Sequence, residues 1–378
     1  MSKKKISRRK ILKTAGIVTA ASFLPSCGDS GTPNNPAKTT STINKTFNWK
    51  LVTTWPKNFP GLGTGAQRLA DSIKKMSEGR LNIKLFAAGE LVPAFECFDA
   101  VRENKAQMFH ANAYYWINKN KSMPFFGAVP GGFTAQEHNA WINYAGGQEL
   151  WDKLYAQFDL KPFMAGNSGT QMGGWFLKEI NSTEDFKGLK MRIPGLAGEV
   201  LNRMGGTAVL LPGGEIMPAL QSGAIDATEW VGPWNDAFMK FYEAAKYYYY
   251  PGMHEPASML AAGCNKSWLT SLSATDQAMI EAAATCENDI MMSEYNANNG
   301  SSLKKLIDEQ GVVLKEFNDD VYDGFAEASA EVYAEVVEHS DLARRTHESF
   351  VNARKEIGAW MKLSDGAYLK QRNRALGV

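Results

Sequence analysis

A chain of 378 residues with 44% apolar side chains is long enough to build two lobes around separate cores, and its formal net charge of +1 conceals an asymmetry. Seven basic residues precede Cys27, and without them the chain is mildly acidic by about six charges, which argues against nucleic acid or anionic lipid as partners. Cys97, Cys264 and Cys286 are odd in number, widely spaced and without CxxC, which excludes a zinc site and a disulfide framework and allows one bridge at most.

The first segment reads as an export signal. Lys3, Lys4, Lys5, Arg8, Arg9, Lys10 and Lys13 lead into an apolar run from Ala15 to Leu24, with no acid among them and too few residues to span a bilayer. Ser7-Arg8-Arg9-Lys10-Ile11-Leu12-Lys13 resembles the twin-arginine motif, and Leu24-Pro25-Ser26-Cys27 resembles a lipobox, although Pro25 is not a favoured residue there. Residues 1–26 are therefore expected to be a signal peptide. Residues 27–47 are expected to be a polar tether carrying a lipid on Cys27, because this stretch is too polar to bury a core.

The body opens on a strand, Asn48 to Trp55, followed by a Pro/Gly-rich loop and a helix that places Leu69, Ile73 and Met76 on one face. Leu81 to Phe86 alternates as a strand does, and a short helix around Ala94 to Glu103 precedes a strand at Gln107 to Ala111. A second set begins near Lys161, with strands at Pro162 to Ala165, Trp175 to Leu177, Lys190 to Ile193 and Ala208 to Leu211. Helices at Leu196 to Met204 and Glu215 to Ser222 accompany them. Ser273 to Ile307 is helix-forming and interrupted only by Gly300, with capping residues at Ser273 to Asp276. From Asp319 onward the chain is mostly helical, so the class is α/β with a helical C-terminal third.

Gly61-Leu62-Gly63-Thr64-Gly65-Ala66 formally fits the dinucleotide fingerprint and supports an alternative function, an exported nucleotide-dependent oxidoreductase. Against it, Pro56 to Pro60 intervenes where a tight turn is needed, and the second strand ends in Ala87-Ala88-Gly89 without an acid for the ribose. None of His110, His138, His254, His339 and His347 has metalloprotease spacing, and no nucleophile elbow is present. Polar and aromatic residues gather instead at strand ends, where open α/β sheets bind ligands: Asn112 to Trp116, Asn167 to Trp175, Lys190 to Gly195 and Asp226 to Trp234.

These segments carry a resemblance. Lys50 to Pro56, Ala88 to Pro93, Met191-Arg192-Ile193-Pro194-Gly195 and Gly223 to Trp230 are similar to the solute-binding subunits of tripartite ATP-independent periplasmic (TRAP) transporters, in the branch that receives 2-oxo and 2-hydroxy monocarboxylates. The resemblance implies a two-lobed flytrap with a lobe-spanning helix. Residues 48–160 would start the first lobe, 161–250 would make most of the second, and 251–378 would return to the first and add the long helix and tail. It also implies a receptor without chemistry of its own, in the periplasm or at the outer face of the cytoplasmic membrane, delivering a small organic acid to integral-membrane TRAP subunits. By the same resemblance Arg192 holds the carboxylate, since a guanidinium offers paired donors, and Tyr115, Asn167, Gln171, Trp230 and Trp234 line the pocket. Gln171, Glu229, the Trp230 carbonyl and Glu255 hold Na⁺ or Ca²⁺ beside the ligand, oxygen donors that suit a hard cation. No organic cofactor is implied, and the tail helices offer a surface for a homodimer.

Overall fold

The structure, a computed structural model, describes residues 45–377. The export signal, Cys27 and most of the expected tether lie outside the described residues. In chain order the strands are β1 (Phe47–Thr53), β2 (Leu81–Phe86), β3 (Met108–Ala111), β4 (Leu160–Asn167), β5 (Gly174–Phe176), β6 (Lys190–Arg192), β7 (Thr207–Val209), β8 (Ala227–Thr228), β9 (Tyr247–Tyr250), β10 (Met259–Asn265) and β11 (Val313–Glu316). They form two sheets, one ordered β2-β1-β3-β10-β4 and the other β11-β9-β5-β8-β6-β7.

β1 is parallel to both β2 and β3, as helical crossovers require, whereas β10 runs antiparallel between β3 and β4. The sequence reading places the strand near Lys161 in the second lobe, but β4 completes the first sheet through β10, so the chain passes to the second sheet only after Asn167. Periodicity reveals a strand but not its partner. The segment expected to return to the first lobe also gives its edge strand β11 to the second sheet, parallel to β9.

The first helix, Leu62–Met76, buries Leu69 and Ile73 under the first sheet, but Met76, expected on the same face, lies past the covered surface and is exposed. The long helix runs from Ala274 to Gln310, about 55 Å at the usual rise per residue. Its start is capped as the sequence suggests, with the Ser273 hydroxyl accepting from the Asp276 N–H at 3.1 Å. It packs on β4 and the first helix, and also on the short helix Pro233–Met239 that follows β8, so it touches the surroundings of both sheets. Two tail helices, Asp319–His339 and Asp341–Met361, pack on each other; the first rests on Gly195–Arg203 and the second on Ala135–Tyr144. Cys97, Cys264 and Cys286 are all free, and burial pushes the first two thiols up to about 12, which leaves them inert. Among the described residues no helix is long and apolar enough to cross a membrane.

Candidate functional site

The glycine loop is the first element to test, because it carries the alternative function. A Cβ on Gly61 would stand 2.7 Å from the Tyr295 ring, and one on Gly65 would stand 2.3 Å from Met291 Cε and 2.6 Å from Glu287 Oε1. These glycines exist because the long helix lies directly against the start of the first helix. The space a pyrophosphate needs is filled with side chains, so the dinucleotide reading fails on sterics.

Parallel register builds the other candidate. β6 aligns Met191 with Ala227 and Arg192 with Thr228, so the residue after β8, Glu229, is delivered beside the last residue of β6, its N–H donating to the Arg192 carbonyl at 3.2 Å. Arg192 and Glu229 are both buried and form an ion pair through Nη1 and Oε1. Arg192 Nε donates to the Leu211 carbonyl at 3.2 Å, its guanidinium lies 5.1 Å from the Trp230 ring centroid, and Nη2 has no partner. Burial works to lower the Arg192 pKa, but the Glu229 carboxylate together with the Tyr115 and Tyr114 hydroxyls more than offsets it, so the cation stays charged.

From the first sheet, β3 leads into Asn112, whose Oδ1 accepts from the Tyr114 N–H and whose Nδ2 donates to Ser258 Oγ at 2.6 Å, turning Tyr114 and Tyr115 inward. Burial pushes both hydroxyls up in pKa, with Arg192 opposing the rise at Tyr115. β4 ends in Asn167, whose Oδ1 accepts from the Gly169 N–H at 2.9 Å and bends the chain toward Gln171. Gln171 is then held by Ser168, which accepts from Nε2 at 3.1 Å, and by the Gly252 N–H, which donates to the Gln171 carbonyl. The chain returns from β9 through Gly252 to His254 and Glu255, both buried, and Nε2 of His254 stands 3.4 Å from Glu229 Oε2.

A narrow internal cavity lies among these elements, lined by Trp55, Tyr114, Tyr115, Gln171, Trp230 and Ser258 along with other residues. Around it a set of buried polar atoms lacks any partner: Gln171 Oε1, Arg192 Nη2, Glu229 Oε2, Trp230 Nε1, His254 Nε2, Asn167 Nδ2 and both oxygens of Glu255. Unsatisfied buried groups each cost about 1–3 kcal/mol, so a cluster of them marks a place prepared for something else. Glu229, His254 and Glu255 each offer an atom within 4.8 Å of the others'. Burial holds the Glu255 pKa well above the ordinary carboxylate range, and the Glu229 charge adds to that; Arg192 and the nearby Ser258 and Tyr114 hydroxyls pull the other way.

Asp236 fixes the loop between β8 and the helix Pro233–Met239. Its Oδ1 accepts from the Val231 and Gly232 N–H groups at 3.3 and 3.2 Å, while Oδ2 accepts from Trp175 Nε1 at 3.0 Å and Tyr248 OH at 2.7 Å. Burial still pushes this carboxyl up to about 7. The residues picked out from sequence thus divide. Arg192, Gln171, Glu229, Trp230, Tyr115 and Glu255 converge, and Asn167 stands just behind Gly169. Trp234, expected in the lining, instead turns its ring edge-on to Tyr295 of the long helix, because its N–H is anchored to Asn299 Oδ1. His254, Tyr114 and Ser258 were not singled out; only the position of His254 next to Glu255 could have drawn attention to it.

Two mixed α/β sheets thus bring a cluster of partnerless buried polar groups together at their strand ends, the arrangement of a small-molecule binding site. The chain belongs to the DctP family, bacterial extracellular solute-binding protein family 7, which it matches over residues 51–340. It is 38% identical over 363 residues, 96% of this chain and 98% of the relative, to a monocarboxylate 2-oxoacid-binding periplasmic protein of Nostoc sp.. Two solved TRAP periplasmic solute-binding proteins share the fold at a TM-score of 0.84. One, from Pseudoalteromonas atlantica with bound sodium and pyruvate, is 39% identical and covers 86% of this chain and 99% of its own. The other, from Colwellia psychrerythraea with bound calcium and pyruvate, is 40% identical and covers 86% and 100%.

Proposed function

We propose that this protein captures a small 2-oxo or 2-hydroxy monocarboxylate outside the cytoplasmic membrane, together with a hard cation, and delivers it to the integral-membrane subunits of a TRAP transporter, performing no chemical step. The observation that carries the reading is the group of partnerless buried polar atoms on residues lining or next to one cavity, donors and acceptors both among them. Arg192 Nη2, Trp230 Nε1 and Asn167 Nδ2 are donors for a carboxylate, and Arg192 is the principal one because its guanidinium is charged and held from behind by Leu211. Gln171 Oε1, Glu229 Oε2 and the Glu255 oxygens are acceptors with nothing to accept, a donor set that fits a hard cation, and the Trp230 carbonyl is the fourth residue proposed to hold it. Bound there, such an ion would supply a positive centre shared by the carboxylate and the 2-oxo or 2-hydroxy oxygen. Relatives that carry pyruvate with sodium or calcium support this pairing.

The test is a thermal-shift and calorimetric screen of 2-oxo, 2-hydroxy and dicarboxylic acids with and without each cation. A ligand held at 100 times its Kd adds about 2.7 kcal/mol to the folded state. No stabilisation by any monocarboxylate would refute the receptor reading. The twin-arginine and lipobox matches further support anchoring through Cys27: Cys27→Ala should leave the protein exported but release it from the membrane fraction. Exposed Trp360, Leu363, Tyr368 and Leu376 on the C-terminal helices support self-association there, which light scattering with and without residues 362–378 would read.

A further inference from the structure

We infer that Phe59 is a positioning residue that ties closure of the two lobes to the grip on the acid, acting through the Trp230 indole. This rests on the receptor reading above. Phe59 stands on the first sheet's side of the molecule, in the loop between β1 and the helix Leu62–Met76. Its ring nevertheless packs edge-on to Trp230 and Phe238, with centroids 5.8 and 5.2 Å apart, and both of those residues follow β8 of the second sheet. Phe59 is fully buried. Asn235, one turn before Phe238 and so on the same helix face, adds a polar tie: its Nδ2 donates to the Pro60 carbonyl at 3.0 Å, while its Oδ1 accepts from Tyr295 OH at 2.6 Å.

The glycine motif supplies the base for this contact. The Phe59 carbonyl accepts from the Gly63 and Thr64 N–H groups, both at 2.9 Å, which fixes it to the first turn of the helix. A Cβ on Gly63 would stand 2.8 Å from the Pro56 carbonyl oxygen and 3.2 Å from Phe59 Cβ, so the loop folds back this tightly only over a bare residue. At the other end of the contact, Trp230 Nε1 is a buried donor without a partner, and the place of the indole decides what that donor reaches. The indole is held by Arg192, by Gly213, where a Cβ would stand 2.7 Å from its Cη2, and by Phe59. Arg192 and Gly213 lie on the same side as Trp230 and move with it; Phe59 does not. Parting the lobes therefore strips the indole of one wall and exposes the Phe59 ring, so that opening and release of the acid are one event. Losing the burial of such a ring changes a rate or an equilibrium by about 10- to 100-fold.

The experiment uses the full mature chain in buffer holding sodium and calcium chloride. The probes are pyruvate, the acid bound in both solved relatives, and the other 2-oxo and 2-hydroxy monocarboxylates of the screen. Stopped-flow mixing separates association from dissociation. Phe59→Ala should release the acid about 10- to 100-fold faster, with association changed by less than about 3-fold. Phe238→Ala, at a residue 56% exposed whose loss spares the core, should release it about 2- to 10-fold faster. Trp230→Phe keeps an aromatic ring but removes Nε1, and adding Phe59→Ala to it should speed release by a smaller factor than Phe59→Ala does in wild type, since both act on one donor. In small-angle scattering the acid should compact wild type more than it compacts Phe59→Ala. Wild-type release rates in both Phe59→Ala and Phe238→Ala overturn the inference and leave the receptor intact, as does full additivity of Phe59→Ala with Trp230→Phe or equal compaction. Binding of none of the acids by wild type overturns the receptor reading and this inference with it. Should Phe59→Ala fail to fold, the release rate of Phe238→Ala decides alone.

Discussion

Arg192 has two tasks that one substitution disturbs together, and the structure says how to separate them. Replacing it with Met removes the partner of a fully buried glutamate, and breaking a buried ion pair from one side costs about 3–5 kcal/mol. A chain of this size unfolds with an entropy of roughly 0.7 kcal/mol/K, so the ligand-free melting temperature should drop by about 4–7 °C. Acid binding should weaken by a further 2–5 kcal/mol, or roughly one and a half to three and a half decades, because the ligand carboxylate then lacks its charged donors. Adding Glu229→Gln to Arg192→Met should restore most of the melting temperature, since the stranded charge is gone, yet restore none of the affinity. Arg192→Lys should fall between, since it returns the charge without the Nε bond to Leu211 or the paired donors. Scanning calorimetry of the empty proteins beside titration calorimetry with the best acid separates the two effects. If Arg192→Met binds that acid as wild type does, the guanidinium is a structural partner of Glu229 and the carboxylate is held elsewhere.

Three other outcomes are expected. His110 is buried with Nδ1 accepting from Trp55 Nε1 at 2.9 Å and Nε2 facing the Ala165 carbonyl at 2.9 Å, and burial lowers its pKa to about 4. Its unfolded value of about 6.5 lies higher, so the unfolded chain takes up the proton first; stability is fully present above pH 6.5 and should decline by about 3 kcal/mol toward pH 4. Urea melts across that window should show a shallower decline for His110→Gln, and parallel curves would discard the assignment. Gly65→Ala should destabilise the fold by about 1–3 kcal/mol, because Met291 can move but Glu287 is held by Arg68 through two hydrogen bonds, and Met291→Ala should recover part of the loss. Removing all divalent cations and sodium should weaken acid binding; unchanged affinity in calorimetry would mean that protein groups alone hold the ligand.

Leu81 to Phe86 was legible because its burial alternates, and β3 and β5, buried throughout, were legible as short runs containing aromatic residues. β10 was not, since it is buried at all seven residues and so has no alternation, and Met259–Asn265 contains no β-branched or aromatic residue to mark it as a strand. That one omission moved the boundary between the sheets, because β4 has no place in the first sheet without β10. In the site, Arg192 and Glu229 were legible through the family resemblance but not as partners, because their pairing depends on the register of β6 beside β8, a strand of two residues too short to show a pattern. His254 was not, because it reaches Glu229 only when the chain has come back from β9, and Trp234 was misread because its partner Tyr295 lies on a distant helix. Gly61 to Ala66 looked like a nucleotide loop because close backbone approach selects glycine whether the neighbour is a phosphate or a helix.

The position of β10 between β3 and β4 also dictates an order of events. Until Met259–Asn265 has left the ribosome, β3 and β4 each present an open edge, and the first half of the protein cannot complete its own sheet. Pairings this remote are slow to form, and the nascent chain must be kept from joining its edges to those of other chains in the meantime. A truncation anywhere before residue 265 therefore yields not a smaller binding domain but an aggregation-prone fragment.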